Sequence, residues 1–306
     1  MAEGSLTSEA DARNGNRYAD ETVVKNDIVP KRHYGRWISV VLLLLVGTQA
    51  AQGLITNPNF HWHVFAQYVF SLQVLRGVGW TLLLTVVAMA VAMPLAMLLV
   101  VMGDSMNPIL RGISLGWVWF FRGTPIYTQL AFWGLFAVLF PRLSLSIPFG
   151  PELISVDSRW IVTPAVAAVV GLGFNESAYL TEIFRAGFRA IDRGQTEAAQ
   201  ALGMPTHKIW LRILLPQAMR TIIPPTGNET IGMLKMTSLV LAVPFTLDLM
   251  FATNAIANRT YLPVPLLLVA AFWYLLITSI LMVGQHYLER HFGRGHDIVV
   301  STGGPM

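Results

Sequence analysis

Six long runs of mainly apolar residues restrict what this 306-residue chain can fold into. A helix that crosses a bilayer needs about 20 such residues. Lipid offers the backbone no hydrogen-bond partners, so runs of this kind must form helices there. We therefore predict an all-α membrane protein, a polytopic helical bundle with six transmembrane helices. The predicted spans are Trp37–Ile55, Trp80–Met102, Ile113–Leu139, Trp160–Phe188, Thr221–Thr253 and Pro263–Tyr287.

The composition excludes several classes of protein. Charged residues make up 12% of the chain, about half of the roughly 25% that is typical of soluble domains. This deficit argues against a soluble globular enzyme, a disordered chain and a nucleic-acid-binding protein. The chain has no Cys, which excludes disulfide bonds, thiolate metal sites and cysteine nucleophiles.

The basic residues predict the orientation of the bundle. Most of the 21 Lys and Arg residues lie within residues 1–36, within residues 185–220 or after residue 289. Six alternating helices would bring these segments to one side, and basic residues concentrate on the cytoplasmic side. We therefore expect both termini to be cytoplasmic. Residues 1–36 are polar, without an apolar period, and predict a flexible tail rather than a signal peptide; residues 291–306 form a second predicted tail.

The segment between the fourth and fifth runs, residues 185–220, is too long for a simple turn. Good helix formers fill positions 197–202, and Gly203 suits the left-handed position that ends a helix. Four apolar residues follow at helical spacing: Ile209, Trp210, Ile213 and Leu214. The pattern predicts two short helices, the second with an apolar stripe. Such a helix either docks against a partner or lies on the membrane surface without one, and the spacing leaves both open.

The residue identities in this segment match a known signature. Glu197-Ala198-Ala199, then Gly203, then Ile213-x-Leu215-Pro216 resemble the cytoplasmic loop of ABC-transporter permeases. Other short matches resemble the branch of that family that takes up polar amino acids. They are Phe121-Arg122-Gly123-Thr124-Pro125, Gln129-Leu130, Ala178-Tyr179-x-x-Glu182-Ile183-x-Arg185, Gly194-Gln195-x-Glu197-Ala198-Ala199, Pro216-Gln217-Ala218 and Lys235-x-Thr237-Ser238-Leu239. The likeness covers residues 72–290, a five-span permease core, so residues 37–71 look like an additional N-terminal transmembrane helix and a periplasmic linker.

The resemblance implies a multi-subunit transporter in the lipid bilayer of the bacterial cytoplasmic (inner) membrane. Two permease subunits, identical or paralogous, would form the pathway. A cytoplasmic ABC ATPase dimer would hydrolyse ATP, and a periplasmic or lipid-anchored binding protein would deliver the amino acid. Residues 185–220, here named the coupling segment, would pass the motion of the ATPase to the helices as a rigid body. The coupling residues that the resemblance implies are Glu197, Ala198, Ala199, Gly203 and Pro216.

The chain is not expected to hydrolyse ATP itself. A Walker A loop needs Gly-Lys-Ser/Thr, and none of the four lysines follows a glycine. We therefore expect no catalytic residue and no cofactor in this chain. ATP and Mg would be bound by the partner ATPase subunit.

Polar side chains inside predicted spans are candidates for contact with a solute. The guanidinium of Arg122 could hold a substrate carboxylate through two hydrogen bonds. The alternatives are an ion pair with a neighbouring acid, or a position at a helix end. Glu176 could receive an α-amino group or a cationic side chain, and Asn175 offers both a donor and an acceptor. For Asn175 and Glu176 the alternative is a hydrogen bond between packed helices. The predicted substrate-binding residues are Arg122, Asn175, Glu176 and Tyr179.

Three further charged residues suggest a structural role. Glu182 lies one helical turn before Arg185, and Lys235 precedes Thr237 and Ser238, whose hydroxyls can bond backbone groups freed by a helix break. We predict that Glu182, Arg185 and Lys235 form a brace between spans.

Other readings are weaker. The G-x-S-x-G pattern at residues 112–116 begins a predicted membrane helix, where a hydrolase nucleophile would lack its strand and turn. His61-x-His63 lies in an aromatic stretch typical of a membrane interface, so we expect no metal site. A proton-coupled secondary amino-acid transporter that uses Glu176 or Glu182 is the alternative function. A membrane enzyme would need a catalytic constellation, and the sequence contains none.

Overall fold

The computed structural model describes residues 34–146 and 152–292, and these are mostly helical. They belong to two units, which divide after Asn57. The first unit contains helix α1 (Tyr34–Thr56), and every residue of this apolar helix is exposed. A mainly apolar helix of 23 residues is long enough to cross a bilayer.

The second unit contains eleven further helices and one hairpin within the described residues. A short 3₁₀ turn, Pro58–Phe60, precedes them. The elements that follow are α2 (Trp62–Tyr68), α3 (Leu72–Gly103), α4 (Pro108–Gly123), α5 (Ile126–Leu139), β1 (Arg142–Ser146), β2 (Glu152–Asp157), α6 (Ser158–Ile161), α7 (Pro164–Arg189), α8 (Arg193–Ala201), α9 (Thr206–Ile209), α10 (Leu215–Met236), α11 (Leu249–Thr260) and α12 (Pro263–Phe292).

Short polar residues set the beginnings of several helices. The side chain of Asn107 accepts a hydrogen bond from the backbone N–H of Ile109, at 2.9 Å, and Pro108 follows at the first helical position. Thr163 caps α7 in the same way, again with a proline directly after it. These residues satisfy N–H groups that a helix leaves free at its start, and proline there loses no hydrogen bond.

The third and fifth apolar runs are each divided, which corrects two of the predicted spans. The predicted single span Ile113–Leu139 is two helices, α4 and α5, because Thr124 and Pro125 have extended backbones. The predicted span Thr221–Thr253 ends its helix at Met236, continues as a 3₁₀ turn (Thr237–Ala242) and resumes as α11. The break does not lie at Pro224 and Pro225, which α10 contains in its interior.

The structure agrees with the predicted helical bundle, with one exception, an antiparallel hairpin of β1 and β2. The hairpin lies between α5 and α6, outside the predicted spans. Of the described helices, α1, α3 and α12 are long and apolar enough to cross a membrane by length and composition. The six-span count therefore stays a prediction.

Helices α3 and α7 form the centre of the second unit. One buried apolar cluster joins α3 and α7 to α5 and α10. A second joins α3 to α2, α11 and α12. Helix α3 contributes to both clusters, so it links the two halves of the apolar core.

Candidate functional site

A break between α4 and α5 forms one wall of the candidate site, and the amide of Gln129 stabilises it. Its Nε2 donates to the backbone carbonyls of Phe121 and Thr124, at 3.0 and 3.1 Å, and to the hydroxyl of Thr124, at 2.7 Å. Carbonyls at a helix end have no partner within the helix. The buried Gln129 provides one, so the chain can turn here away from water.

Asn175 of α7 completes this arrangement. Its Nδ2 donates to the carbonyl of Phe121, at 2.9 Å, and to Oε1 of Gln129, at 3.1 Å. The side chain is buried. The structure therefore gives Asn175 the interhelical hydrogen bonds that were the alternative to substrate contact. Both amide hydrogens are engaged, so only its carbonyl oxygen is left for a ligand.

Arg122 and Tyr179 meet beside this break. The guanidinium carbon of Arg122 lies 5.2 Å from the centre of the Tyr179 ring, in a cation–π contact between α4 and α7. Arg122 is exposed, and neither of the two ion pairs among the described residues includes it. Its donors are available to a carboxylate, while the aromatic face holds the side chain in place.

Glu176 is the least satisfied polar residue of the site. Its side chain has no exposed surface, and neither carboxylate oxygen has a hydrogen-bond partner among the described residues. Arg122 therefore does not pair with it. Glu229 of α10 lies close enough for the two carboxylates to repel each other. Two carboxylates between α7 and α10, with no described cation beside Glu176, are suited to receive a positively charged group.

The structure brings two of the three predicted brace residues together. Glu182 and Arg185 form an ion pair one turn apart on α7. The Arg185 guanidinium also lies against the last turn of α3: a Cβ on Gly103 would be 3.0 Å from its Nη2. The C-terminal end of α3 carries the negative end of the helix dipole, which stabilises a cation at this position. Lys235 is exposed and takes no part in this pair.

The coupling segment leaves the end of α7, forms α8 and turns at Gly203. This residue has a φ of 73°, in the left-handed region predicted for it. The backbone N–H of Met204 donates to the carbonyl of Ala199, at 3.1 Å, and that of Gly203 to the carbonyl of Gln200, at 2.9 Å. These bonds close the end of the helix in a Schellman-type turn. Ala199 is buried, while Glu197 and Ala198 are exposed.

The second half of the segment differs from the prediction. In place of a separate short helix, α9 continues through a π-helical turn, Trp210–Leu214, directly into α10. Trp210 packs against Phe188 at the end of α7, with ring centres 4.7 Å apart, and Ile209 is buried. Pro216 lies exposed in the first turn of α10. The apolar stripe therefore packs on the bundle, and the exposed side of α8 is left for a partner.

A groove of about 490 Å³ lies between the coupling segment and the end of the bundle. It is lined by basic, acidic and aromatic side chains. They include Asp104, Phe188, Arg189, Arg193 and Trp210.

The residues that sequence reasoning left unresolved include Glu229 and Gln129. Glu229 was visible as an acid inside an apolar run, but its partner helix was not. Gln129 was noted only as part of a motif, because nothing in a single sequence shows which carbonyls a glutamine will reach.

Comparison with known proteins places these features in a family. Residues 92–294 match the family described as binding-protein-dependent transport system inner membrane component. The chain is 43% identical to the arginine transport system permease protein ArgU of Corynebacterium glutamicum, over 87% of this chain and 83% of that protein. It is 33% identical to the histidine/lysine/arginine/ornithine transport system permease protein HisM of Salmonella typhimurium, over 71% and 88% of the two chains.

Solved structures agree with this assignment. An amino acid ABC transporter crystallised with histidines matches with a TM-score of 0.58 and 29% identity, over 72% of this chain and 94% of that one. The MetNI methionine ABC transporter in an inward-facing conformation matches with a TM-score of 0.51 and 18% identity, which shows a shared fold. The exposed Glu197 turn, the broken α4–α5 helix and these matches lead to one conclusion: the chain belongs to the inner membrane components of binding-protein-dependent transport systems, the permease subunits of ABC importers, which have no ATPase site of their own.

Proposed function

We propose that this permease imports a polar amino acid of the cationic class, and that Glu176 receives its positive charge. The observation that carries the proposal is the complete burial of Glu176 with both carboxylate oxygens unpartnered. A buried carboxylate without a partner is costly. A guanidinium or ammonium group that enters between α7 and α10 would remove that cost.

The neighbouring residues would hold the rest of the substrate. Arg122, steadied by Tyr179, offers its donors to the α-carboxylate. Asn175 acts mainly by fixing the α4–α5 break, with its carbonyl oxygen available to an ammonium group. The names of the arginine and histidine/lysine/arginine/ornithine relatives support the same substrate class.

Transport would be coupled to ATP through the exposed turn of the coupling segment. Glu197, Ala198, Gly203 and the exposed Pro216 would contact a cytoplasmic ABC ATPase, and the buried Ala199 would fix the turn to the bundle. We infer a pair of permease subunits, an ATPase dimer and an amino-acid-binding protein, with six spans per chain and both termini in the cytoplasm of a bacterium. Residues 37–71 would add one span and a periplasmic linker to the core. The match to ABC permeases disfavours a proton-coupled transporter.

Glu176→Gln tests the substrate site directly. Binding would be measured on the whole complex in nanodiscs without the binding protein, so that only the transmembrane site contributes. Loss of a buried hydrogen bond to a charged group costs about 1.5–3 kcal/mol. We therefore expect the dissociation constant for arginine to rise about tenfold or more, and that for glutamine to change little.

The matched control is Glu182→Gln, which removes a carboxylate from the same helix but outside the site. It should leave the preference for arginine over glutamine unchanged. An unchanged arginine affinity in Glu176→Gln would remove Glu176 from the site.

A further inference from the structure

The β1–β2 hairpin lies at the end of the bundle that is opposite the coupling segment. It precedes the short helix α6 and then α7, and α7 runs from there to the coupling segment. The backbone N–H of Ser158 donates to the carbonyl of Pro141, at 3.0 Å, and closes the base of the hairpin. Its function is not part of the transport mechanism proposed above.

The two faces of the hairpin differ in chemistry. Side chains alternate between faces along a strand, and cross-strand partners share a face. Leu143 pairs with Val156, and Ser144 pairs with Ser155. One face therefore carries Leu143, Ile154 and Val156, and the other carries Arg142, Ser144, Ser155 and Asp157.

The apolar face is uncovered. Ile154 and Val156 have 61% and 38% of their surface exposed, so no described element packs over them. A two-stranded hairpin alone is at best marginally stable in water and needs a covered apolar face. Something other than the described elements of this unit must therefore cover it.

The surroundings of the hairpin indicate what that is. Val138 and Leu139, in the last turn of α5, are exposed at 73% and 55%, and Trp160 after β2 is exposed at 84%. An apolar helix end followed by an exposed tryptophan is typical of the boundary between lipid tails and headgroups. The local charges are turned to each other: Arg159 binds Asp157 through two hydrogen bonds, at 2.9 and 3.1 Å.

We propose that the hairpin is a membrane-surface anchor, whose Leu143–Ile154–Val156 face rests on the lipid bilayer beside α5. The outer edges of a two-stranded sheet have unpaired backbone groups, which the hydrocarbon core cannot satisfy. The hairpin therefore lies at headgroup depth, where water reaches these edges. In this position it fixes the level at which α5 ends and α7 begins.

The chain has no Cys, so a single introduced Cys places a label at one known position of the permease. Ile154→Cys and Ser155→Cys are adjacent on β2 and face opposite sides, so they form a matched pair. Each would carry a nitroxide spin label in the complete transporter, reconstituted in vesicles of phosphatidylethanolamine and phosphatidylglycerol. Collision of the label with oxygen, which dissolves in lipid, would be compared with collision with a water-soluble nickel chelate. Retained uptake in both variants shows that the label leaves the fold intact.

We expect the ratio of oxygen to nickel accessibility to be higher at position 154 than at 155. Equal ratios would overturn the proposal, because the two faces would then share one environment. Shielding of position 154 from both reagents would also overturn the proposal. If the shielding occurs without the binding protein, a second permease subunit covers this face. If it occurs only after the binding protein is added, this face is a docking site for that protein.

Discussion

Gly203 offers the sharpest test of the coupling segment. A Cβ at this position would meet no atom within 4 Å, so Gly203→Ala introduces no steric clash. Its whole effect comes from the backbone, whose φ of 73° is left-handed. This conformation costs a residue with a Cβ about 1–2 kcal/mol. The equilibrium between the closed turn and an opened one should therefore shift by a factor of about 5–30.

The assay is ATP hydrolysis by the reconstituted complex, measured with and without substrate-loaded binding protein, together with uptake. Gly203→Ala should lower the stimulated hydrolysis and the uptake several-fold, because the opened turn no longer transmits force. The amount of ATPase subunit that copurifies with the permease would show whether contact itself is lost.

Two controls separate backbone strain from other causes. Gly203→Asn should behave more nearly like the natural protein, because asparagine tolerates the left-handed conformation. Gly194, in the first turn of α8, does not have a left-handed backbone, and a Cβ there would lie 3.4 Å from Oδ1 of Asp192, an ordinary contact. Gly194→Ala should therefore leave stimulated ATP hydrolysis and uptake unchanged. A fully coupled Gly203→Ala complex, or an asparagine variant as impaired as the alanine one, would refute the reasoning.

Two further predictions concern packing and can be measured by thermal unfolding of the purified complex. Gly77→Ala should destabilise the bundle by about 1–3 kcal/mol, because its Cβ would lie 2.8 Å from the Cα of Leu249. The control is Gly79→Ala on the same helix, whose Cβ would meet no atom within 4 Å and should leave the melting temperature unchanged. Equal melting temperatures of the two variants would contradict the α3–α11 contact. Asn175→Leu should cost about 1–3 kcal/mol, because it removes one of the two donors to the Phe121 carbonyl and the donor to Oε1 of Gln129. A variant that melts like the natural protein would show that these hydrogen bonds do not hold the α4–α5 break.

The helical parts of the fold were predictable because a bilayer imposes both length and conformation on an apolar run. The breaks within the apolar runs were harder to predict. Thr124-Pro125 stands inside a mainly apolar run. The extended backbone there is stabilised by Gln129, four positions after Pro125, and by Asn175, which is distant in sequence. Proline usually breaks or kinks a helix, yet α10 contains Pro224 and Pro225 in its interior.

The hairpin was overlooked although its alternation is legible. Residues 142–146 read Arg-Leu-Ser-Leu-Ser, a period of two. Each strand is short and lies between helices that dominate the hydropathy pattern. The pairing also depends on Glu152–Asp157, beyond a connection whose length alone does not set the register.

The coupling turn could be predicted in detail because its signal is local: one glycine at a helix end, with the left-handed φ that only such a residue adopts easily. The residues of the candidate substrate site were predicted, but their geometry could not be. That Glu176 lies close to Glu229 depends on how α7 and α10 are rotated against each other, and a single sequence does not contain that rotation. The same missing information explains why the sequence placed Lys235 in the brace, whereas the structure leaves its side chain exposed.

Helix α7 makes the site and the coupling segment one mechanical element. Glu176 and Arg189 are 13 positions apart on this helix, a distance of about 20 Å. No proline interrupts α7 after its first turn, and the ion pair of Glu182 and Arg185 lies between the two ends. In the proposed mechanism, a displacement of the coupling segment would be passed along α7 to Glu176, because no proline kinks the helix between them. The free energy of closing Glu176 and Glu229 around a cation would then be linked to the position of the segment, so that substrate and ATPase would act on one equilibrium.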